Sequence, residues 1–237
     1  MYDILLFDLD GTLTNSKEGI TKSAQFALKH FGIYEEDLDK LTCFIGPPLT
    51  DQFEAYCGVS REKALEITAK FRERYNTVGL WENELFPGIA DMLDALKKAG
   101  KRLAVATSKP EETAVRILDK FQVLDFFETV SGSEMDMGRT TKSEVIEEAL
   151  IRMGCRRKEG RMPDSGSVQG GLSRKLWDTE HILMIGDRKH DVEGAAMFHM
   201  DCAGVKFGFA EEGELEQAGA IFVADTVEDL KERLLRL

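Results

Sequence analysis

Residues 1–15, MYDILLFDLDGTLTN, join an apolar run to two carboxylates spaced two residues apart. The run at 4–7 predicts a strand that is buried on both faces. Residues i and i+2 of a strand point to the same side, so Asp8 and Asp10 would repel each other unless a cation, a proton or solvent lay between them. Folding alone does not favour that arrangement, so the pair indicates a site that binds something.

The composition is that of a globular protein, and its charge limits the possible partners. The chain has 237 residues, 43% hydrophobic and 31% charged, which suits one large domain or a domain with an insertion. A net charge of −12 argues against nucleic acid and anionic membranes as partners, and an anionic ligand would need a local positive centre. Residues 1–7 lack the features of a signal peptide, no apolar run approaches the ~18 residues of a membrane span, and the four cysteines show no paired spacing. We therefore expect a cytoplasmic protein with reduced thiols, either a monomer or a homodimer.

Short apolar runs alternate with helical patterns through most of the chain. The runs predict buried strands at 2–8, 102–108, 127–133, 181–187, 201–206 and 220–225. Apolar stripes with helical spacing lie between them, bounded by residues such as Gly100, Pro110 and Thr226. This alternation predicts an α/β protein with a doubly wound parallel sheet, a Rossmann-like core.

Two segments interrupt the alternation. Residues 15–85 have an almost wholly helical pattern, which predicts a helical cap inserted into a core made of residues 1–14 and 86–237. Residues 155–178 are polar and rich in Gly and Ser, which predicts a loop.

Carboxylates and hydroxyls follow two further predicted strands. Asp187 and Asp191 lie in the motif GDRKHD after one strand, and Thr107 and Ser108 end another. Ligands of open α/β sheets bind at the carboxyl ends of the strands, so these groups are expected to meet the first carboxylate pair. The alternatives are a helix cap and a surface residue for the two aspartates, and a cap on the helix beginning at Pro110 for Ser108.

Four converging carboxylates require compensating positive charge. Hard oxygen ligands suit Mg²⁺, which also attracts a phosphate, so the expected metal site consists of Asp8, Asp10, Asp187 and Asp191. Backbone N–H groups at Gly11 and Thr12 would form a small anion nest for phosphate oxygens. Hydroxyl and amide groups of Thr107 and Ser108 would add to it.

A lysine would complete the site, and two candidates exist. Lys142 begins a predicted helix, where the macrodipole disfavours a cation unless it faces a negative group. Lys109, next to Ser108, is the competing candidate.

Together these motifs resemble those of the haloacid dehalogenase (HAD) superfamily. The matching features are DLDGT at 8–12, Thr107 at a strand end, Lys142 and GDRKHD at 186–191. The resemblance extends over essentially the whole chain, and the insert at 15–85 resembles the C1-type helical cap of that superfamily.

The resemblance implies a phosphatase and a role for each residue. By it, Asp8 is the nucleophile that becomes an aspartyl phosphate, and Asp10 is the general acid and base. Thr107 and Lys142 bind phosphate. Asp187 ligates Mg²⁺ beside the Asp8 carboxylate and the Asp10 backbone carbonyl, and Asp191 supports the metal.

Local motifs resemble the branch that contains phosphoglycolate phosphatases and some 5′-nucleotidases. These motifs are FIGPPL (44–49), ENELFPGI (82–89) and ATSKP (106–110). By this resemblance, Ile45, Gly46 and Pro47 form a cap loop that closes over a small phosphorylated metabolite; the alternative is a rigid interhelical turn. A phosphomutase of the β-phosphoglucomutase type and a catalytically weak binding protein also remain open.

Overall fold

The structure is a computed structural model that describes residues 1–134, 138–157 and 177–237. The strands are β1 Ile4–Phe7, β2 Thr14–Asn15, β3 Glu84–Leu85, β4 Arg102–Pro110, β5 Thr129–Ser133, β6 Ile182–Gly186, β7 Asp201–Val205 and β8 Phe222–Ala224. Within the described ranges, six of them form a parallel sheet in the order β5-β4-β1-β6-β7-β8.

Helices fill the connections. They are α1 Lys17–His30, α2 Leu49–Cys57, α3 Arg61–Arg74, α4 Ile89–Lys98, α5 Glu111–Lys120, α6 Lys142–Arg152, α7 Lys189–Ala196, α8 Glu214–Ala218 and α9 Val227–Arg236. Short 3₁₀ turns cover Leu38–Phe44 and Leu124–Phe126, and a π-helical turn, Tyr75–Gly79, continues α3. None of the helices in the described part of the chain is long and apolar enough to cross a membrane.

The predicted doubly wound sheet is confirmed, and β1 lies where its strand order changes direction. β1 pairs with β4 on one side and with β6 on the other, so Phe7 is level with both Val105 and Ile185. The residues after Phe7 therefore emerge between the ends of two neighbouring strands. This switch point is where open α/β sheets bind their ligands.

Alternation along β1 explains why its sequence is apolar throughout. Leu5 and Phe7 pack in a core cluster that includes residues of α4, α5 and α9. Leu6 faces the other way, into a second cluster with residues of α6 and α7. Each face of the sheet is thus covered by helices, as period-two side-chain alternation in a buried parallel strand requires.

Several predicted helix boundaries are also confirmed. Ser60 caps α3 and Thr226 caps α9, each accepting a hydrogen bond from a backbone N–H three residues on. Gly100 follows α4 with a left-handed φ of +82°, and Pro110 immediately precedes α5. Of the predicted loop at 155–178, residues 158–176 lie outside the described residues.

The segment 15–85 is mostly helical but not as uniformly as its sequence predicts. Its ends form a two-stranded antiparallel ribbon in which Thr14 pairs with Leu85 and Asn15 with Glu84. Strands of two residues carry no periodic signal, so the helical pattern around them dominated the prediction. The ribbon lies on the two predicted boundaries of the cap, and the division into core and cap remains our proposal.

Candidate active site

Asp8 lies directly after β1 and forms an ion pair with Lys142. The lysine Nζ is 2.7 Å from Asp8 Oδ1 and 2.8 Å from Asp191 Oδ1, and it donates to the Ala106 carbonyl at 3.1 Å. All three charged side chains are buried. Burial alone would lower the pKa of Lys142, but Asp191 and Asp8 raise it above its ordinary value, so the lysine is protonated.

The position of Lys142 follows from its helix. It is the first residue of α6, after Thr141, which forms a capping box with Glu144. That cap satisfies the helix N-terminus without the lysine. The cation at this disfavoured end faces carboxylates, as its place in the sequence predicts.

Asp187 follows β6 and is the most deeply buried of these carboxylates. Its Oδ2 accepts a hydrogen bond from the Phe209 amide at 2.8 Å, and its Oδ1 accepts one from the Thr12 hydroxyl at 3.4 Å. Burial, followed by the charges of Asp191 and Asp8, raises the pKa of Asp187 well above its ordinary value. Burial also raises the pKa of Asp191, to about 6.

These carboxylates fit a divalent cation. One oxygen from each of Asp8, Asp187 and Asp191 lies within 4.8 Å of the others. Lys142 contacts only two of the three, and Asp187 forms no ion pair with a described residue. Burial and the two neighbouring carboxylates raise the pKa of Asp187. Oxygen donors of this kind suit Mg²⁺. The side chain of Asp10 is outside this group, so its predicted metal contact, through the backbone carbonyl, stays a prediction.

Asp10 has a separate cationic partner. Lys109 Nζ donates to Asp10 Oδ2 at 2.6 Å, and both side chains are buried. Burial lowers the pKa of Lys109, but Asp10 and Tyr75 outweigh it and hold the pKa above its ordinary value. Asp10 Oδ1 is buried and has no hydrogen-bond partner among the described residues, so it remains available to a ligand.

Two glycines allow the aspartates to approach the backbone. Gly11 has a left-handed φ of +87°, and a Cβ added to it would collide with the carboxylate of Asp187. A Cβ on Gly186 would collide with Asp191 in the same way. The glycines of DLDGT and GDRKHD therefore keep room for the carboxylate cluster.

The predicted phosphate-binding residues lie around the carboxylates. Thr107 is buried, and its hydroxyl accepts from the Lys109 amide at 3.3 Å, which leaves its own proton free to donate. Ser108 lines a cavity beside Asp10; the residue preceding α5 is Pro110, not Ser108.

The two amides of the expected anion nest already donate hydrogen bonds to backbone carbonyls of the same turn. The Gly11 amide donates to the Thr14 carbonyl at 2.8 Å, and the Thr12 amide donates to the Leu9 carbonyl at 3.3 Å. Phosphate binding by Gly11 and Thr12 stays a prediction. It requires each of these amides to donate to the phosphate as well as to the carbonyl it already contacts.

The predicted cap loop contacts the GDRKHD loop. Arg188 donates to the Ile45 carbonyl at 3.0 Å and to Glu214 at 2.9 Å, and Gly46 lies next to the arginine side chain. Gly46 and Pro47 also line the cavity beside Asp10. Arg188 thus connects the predicted cap loop to α8.

The cavity between the helical insert and the strand ends has a volume of about 730 Å³. Its apolar lining includes Ile20, Phe44, Leu49, Leu65, Phe71 and Tyr75. Polar and charged groups of both the insert and the core complete it, among them Asp10, Ser108 and Lys109. Because Asp10 forms part of its wall, the cavity offers space for a ligand that reaches the carboxylates.

The sequence did not predict all of the groups that contact the site residues. It treated Lys109 and Lys142 as alternatives, whereas each lysine neutralises a different aspartate. It had no signal for Glu214 or for the Phe209 amide, since these come from segments without a recognisable motif.

Comparison with known proteins agrees with this geometry. The haloacid dehalogenase-like hydrolase family model matches residues 5–162, and a HAD-hydrolase-like model matches residues 160–231. A 5′-nucleotidase of Pseudomonas aeruginosa is 42% identical over 214 residues, covering 90% of this chain and 87% of that protein. The tyrosine-protein kinase PtkA of Mycobacterium tuberculosis is 36% identical over 233 residues, covering 98% of this chain and 72% of that protein.

Among solved structures, a protein described as a predicted phosphatase from Clostridium acetobutylicum superposes with a TM-score of 0.87. It is 35% identical, and the match covers the whole of both chains. With its parallel sheet, its buried carboxylates and these relatives, the chain belongs to the haloacid dehalogenase-like hydrolase family and is a phosphoric monoester hydrolase.

Proposed function

We propose that the protein is a Mg²⁺-dependent phosphatase that hydrolyses a small phosphorylated metabolite through an aspartyl phosphate on Asp8. The observation that carries the proposal is the cluster of Asp8, Asp187 and Asp191, with oxygens within 4.8 Å of one another and only one lysine among them. Magnesium, when bound, would reduce the repulsion between this cluster and an incoming phosphate.

The first half-reaction transfers the phosphoryl group to Asp8. One Asp8 oxygen forms a bond to phosphorus while the bond to the leaving oxygen breaks, and Lys142 stabilises the charge that develops. Asp10 enters this step protonated and gives its proton to the leaving oxygen; its Oδ1 has no hydrogen-bond partner among the described residues. Lys109 holds the other oxygen of Asp10 and so fixes its orientation.

The second half-reaction regenerates the enzyme. Asp10 accepts a proton from water, the water oxygen bonds to phosphorus, and the bond to Asp8 breaks to release phosphate. The same carboxyl therefore acts as acid and then as base. Thr107 and Ser108 would donate hydrogen bonds to the phosphate.

The cavity favours a nucleoside 5′-monophosphate over phosphoglycolate as the substrate. A volume of about 730 Å³ with aromatic walls suits a drug-sized ligand better than a two-carbon acid. The relative named 5′-nucleotidase supports the same choice. Four free cysteines support a cytoplasmic location for this metabolic role.

The test is phosphate release from a panel of nucleoside monophosphates, phosphoglycolate, sugar phosphates and phenyl phosphate, with Mg²⁺ and with EDTA. We expect turnover that EDTA abolishes and that is highest for a nucleotide. Interconversion of sugar phosphates without phosphate release would instead indicate a phosphomutase. If the protein is folded and binds Mg²⁺ but releases phosphate from none of the compounds, the proposal is contradicted.

The relative named tyrosine-protein kinase supports a second candidate, phosphoryl transfer to a protein tyrosine. Incubation with ATP labelled at the terminal phosphate separates the two candidates. Label in free phosphate indicates hydrolysis, and label in phosphotyrosine indicates a kinase.

A further inference from the structure

Arg72 lines the cavity, and no carboxylate of the described residues pairs with it. It lies in the last turn of α3, it is half-buried, and the described residues offer it neither an ion pair nor a side-chain hydrogen bond. In a protein with a net charge of −12, a half-buried arginine without a carboxylate partner is unexpected. This feature indicates that the Arg72 guanidinium binds a ligand.

The neighbouring arginines of α3 do not share this property. Arg61, which lines the same cavity, pairs with Asp51 and Glu54 of α2. Arg74, two residues after Arg72, forms a double hydrogen bond to Glu82 at 2.8 and 2.9 Å. Each of these charges is neutralised within the protein, so neither is available as Arg72 is.

Tyr75 relates Arg72 to the reacting carboxylates. Lys109 Nζ contacts Asp10 at 2.6 Å and lies 5.0 Å from the centre of the Tyr75 ring. Arg72 precedes Tyr75 by three residues, so the two side chains are neighbours one helical turn apart, roughly 5–6 Å between Cβ atoms. Arg72 and Asp10 line the same cavity, so a ligand that reaches Asp10 can also contact Arg72.

The wall of the cavity near Arg72 is aromatic. Phe71 and Tyr75 both line the cavity, and their rings stack with centroids 5.2 Å apart and an angle of 19°. The Tyr75 side chain is only 6% exposed, and its ring lies beside Lys109. An aromatic wall next to an arginine without an ion pair among the described residues suits a flat ring with a polar edge.

We propose that Arg72 determines substrate specificity by binding a ring carbonyl of the nucleobase in a nucleoside 5′-monophosphate. The guanidinium presents N–H donors in a fixed plane, which matches the edge of a base. This inference rests on the proposed phosphatase function. Its test therefore measures nucleotide binding separately from turnover.

The binding experiment uses the Asp8→Asn protein with Mg²⁺, so that no substrate is consumed. Affinities for GMP and UMP are measured by calorimetry in this background, with and without Arg72→Gln. The matched control is Arg74→Gln, which removes a half-buried arginine of the same helix that is paired with Glu82. In parallel, kcat and KM for the same nucleotides and for phenyl phosphate are measured in proteins that retain Asp8.

We expect Arg72→Gln to weaken nucleotide binding by about tenfold or more, the effect of one hydrogen bond to a charged donor. KM for the nucleotides should rise by a similar factor with kcat little changed, while phenyl phosphate, which has no ring carbonyl, keeps its kinetics. Arg74→Gln should leave both the nucleotide affinity and the KM for nucleotides unchanged. Arg72→Lys should recover only part of the loss, because an ammonium lacks the planar pair of donors.

Three results would overturn the inference: unchanged nucleotide affinity in Arg72→Gln, an equal loss for phenyl phosphate, or a loss confined to phosphoglycolate. A role of Arg72 in stabilising the C-terminus of α3 alone would lower Tm without changing this discrimination. If nucleotide binding depends on Arg72 but the protein that retains Asp8 releases no phosphate from any substrate, the phosphatase proposal is contradicted and this inference stands.

Discussion

At the scale of single residues, two buried lysines form ion pairs with different carboxylates of the site. Lys142 contacts Asp8 and Asp191, and Lys109 contacts Asp10. Both ion pairs are withdrawn from water, so removing one partner leaves a buried charge uncompensated. The division gives the proposed nucleophile and the proposed acid separate environments.

Lys109→Met is expected to destabilise the protein because it leaves the buried Asp10 carboxylate without its ion-pair partner. We expect the free energy of unfolding to fall by about 3 kcal/mol or more, measured by urea denaturation. Asp10→Asn/Lys109→Met removes both charges and should lose less than Lys109→Met alone. The control is Lys206→Met, which removes an exposed ion pair with Asp225 and should change little.

Stability of Lys109→Met equal to that of the wild type would contradict this reading. A double variant as unstable as the sum of the two single variants would also contradict it, because the two groups would then act independently.

At the scale of elements, the sequence predicts the strand ends well and the contacts between loops poorly. Asp8, Asp187 and Lys142 could be placed because each lies at the boundary of a strand or helix with a clear apolar pattern. The β2–β3 ribbon had no such pattern, and its strands are only two residues long. The contact of Arg188 with Ile45 joins residues 143 positions apart, which periodicity cannot report.

That contact leads to a prediction about the cap loop. Arg188→Gln removes the ion pair with Glu214 and weakens the hydrogen bond to the Ile45 carbonyl, a loss worth about 1.5–3 kcal/mol for a charged donor. We therefore expect amide hydrogen exchange in residues 44–49 to accelerate by about tenfold or more.

The matched control for this experiment is Lys189→Gln, which changes an exposed neighbouring charge. Its exchange rates in residues 44–49 should equal those of the wild type. The same acceleration in both variants, or in neither, would show that Arg188 does not hold the loop.

At the scale of the whole molecule, the protein combines an acidic surface with a site that must accept an anion. The net charge is −12, and Asp187 and Asp191 both have raised pKa values in the absence of a metal. A carboxyl whose pKa is higher in the folded than in the unfolded state weakens the fold as the pH rises through that range. Mg²⁺ binds the ionised carboxylates, so it should restore this lost stability.

The gain in Tm on adding Mg²⁺ is therefore expected to increase from about pH 5 to about pH 7.5, across the pKa of about 6 for Asp191. At a saturation of about 100 Kd the stabilisation is roughly 2.7 kcal/mol, which corresponds to several degrees for a chain of this size. Asp187→Asn should lose most of the gain. An equal gain at both pH values, or a full gain in Asp187→Asn, would argue against this metal site.

The central claim is that Asp8 carries the phosphoryl group during turnover. The most direct measurement is mass spectrometry of protein quenched in acid during hydrolysis of the best substrate, followed by mapping of the modified peptide. We predict one phosphoryl group, on Asp8 within residues 1–15, and none in Asp8→Asn, whose turnover should fall at least about 10³-fold. Asp8→Asn should stay folded, because Lys142 keeps its ion pair with Asp191. Phosphorylation of another residue, or turnover unchanged in Asp8→Asn, would contradict the account.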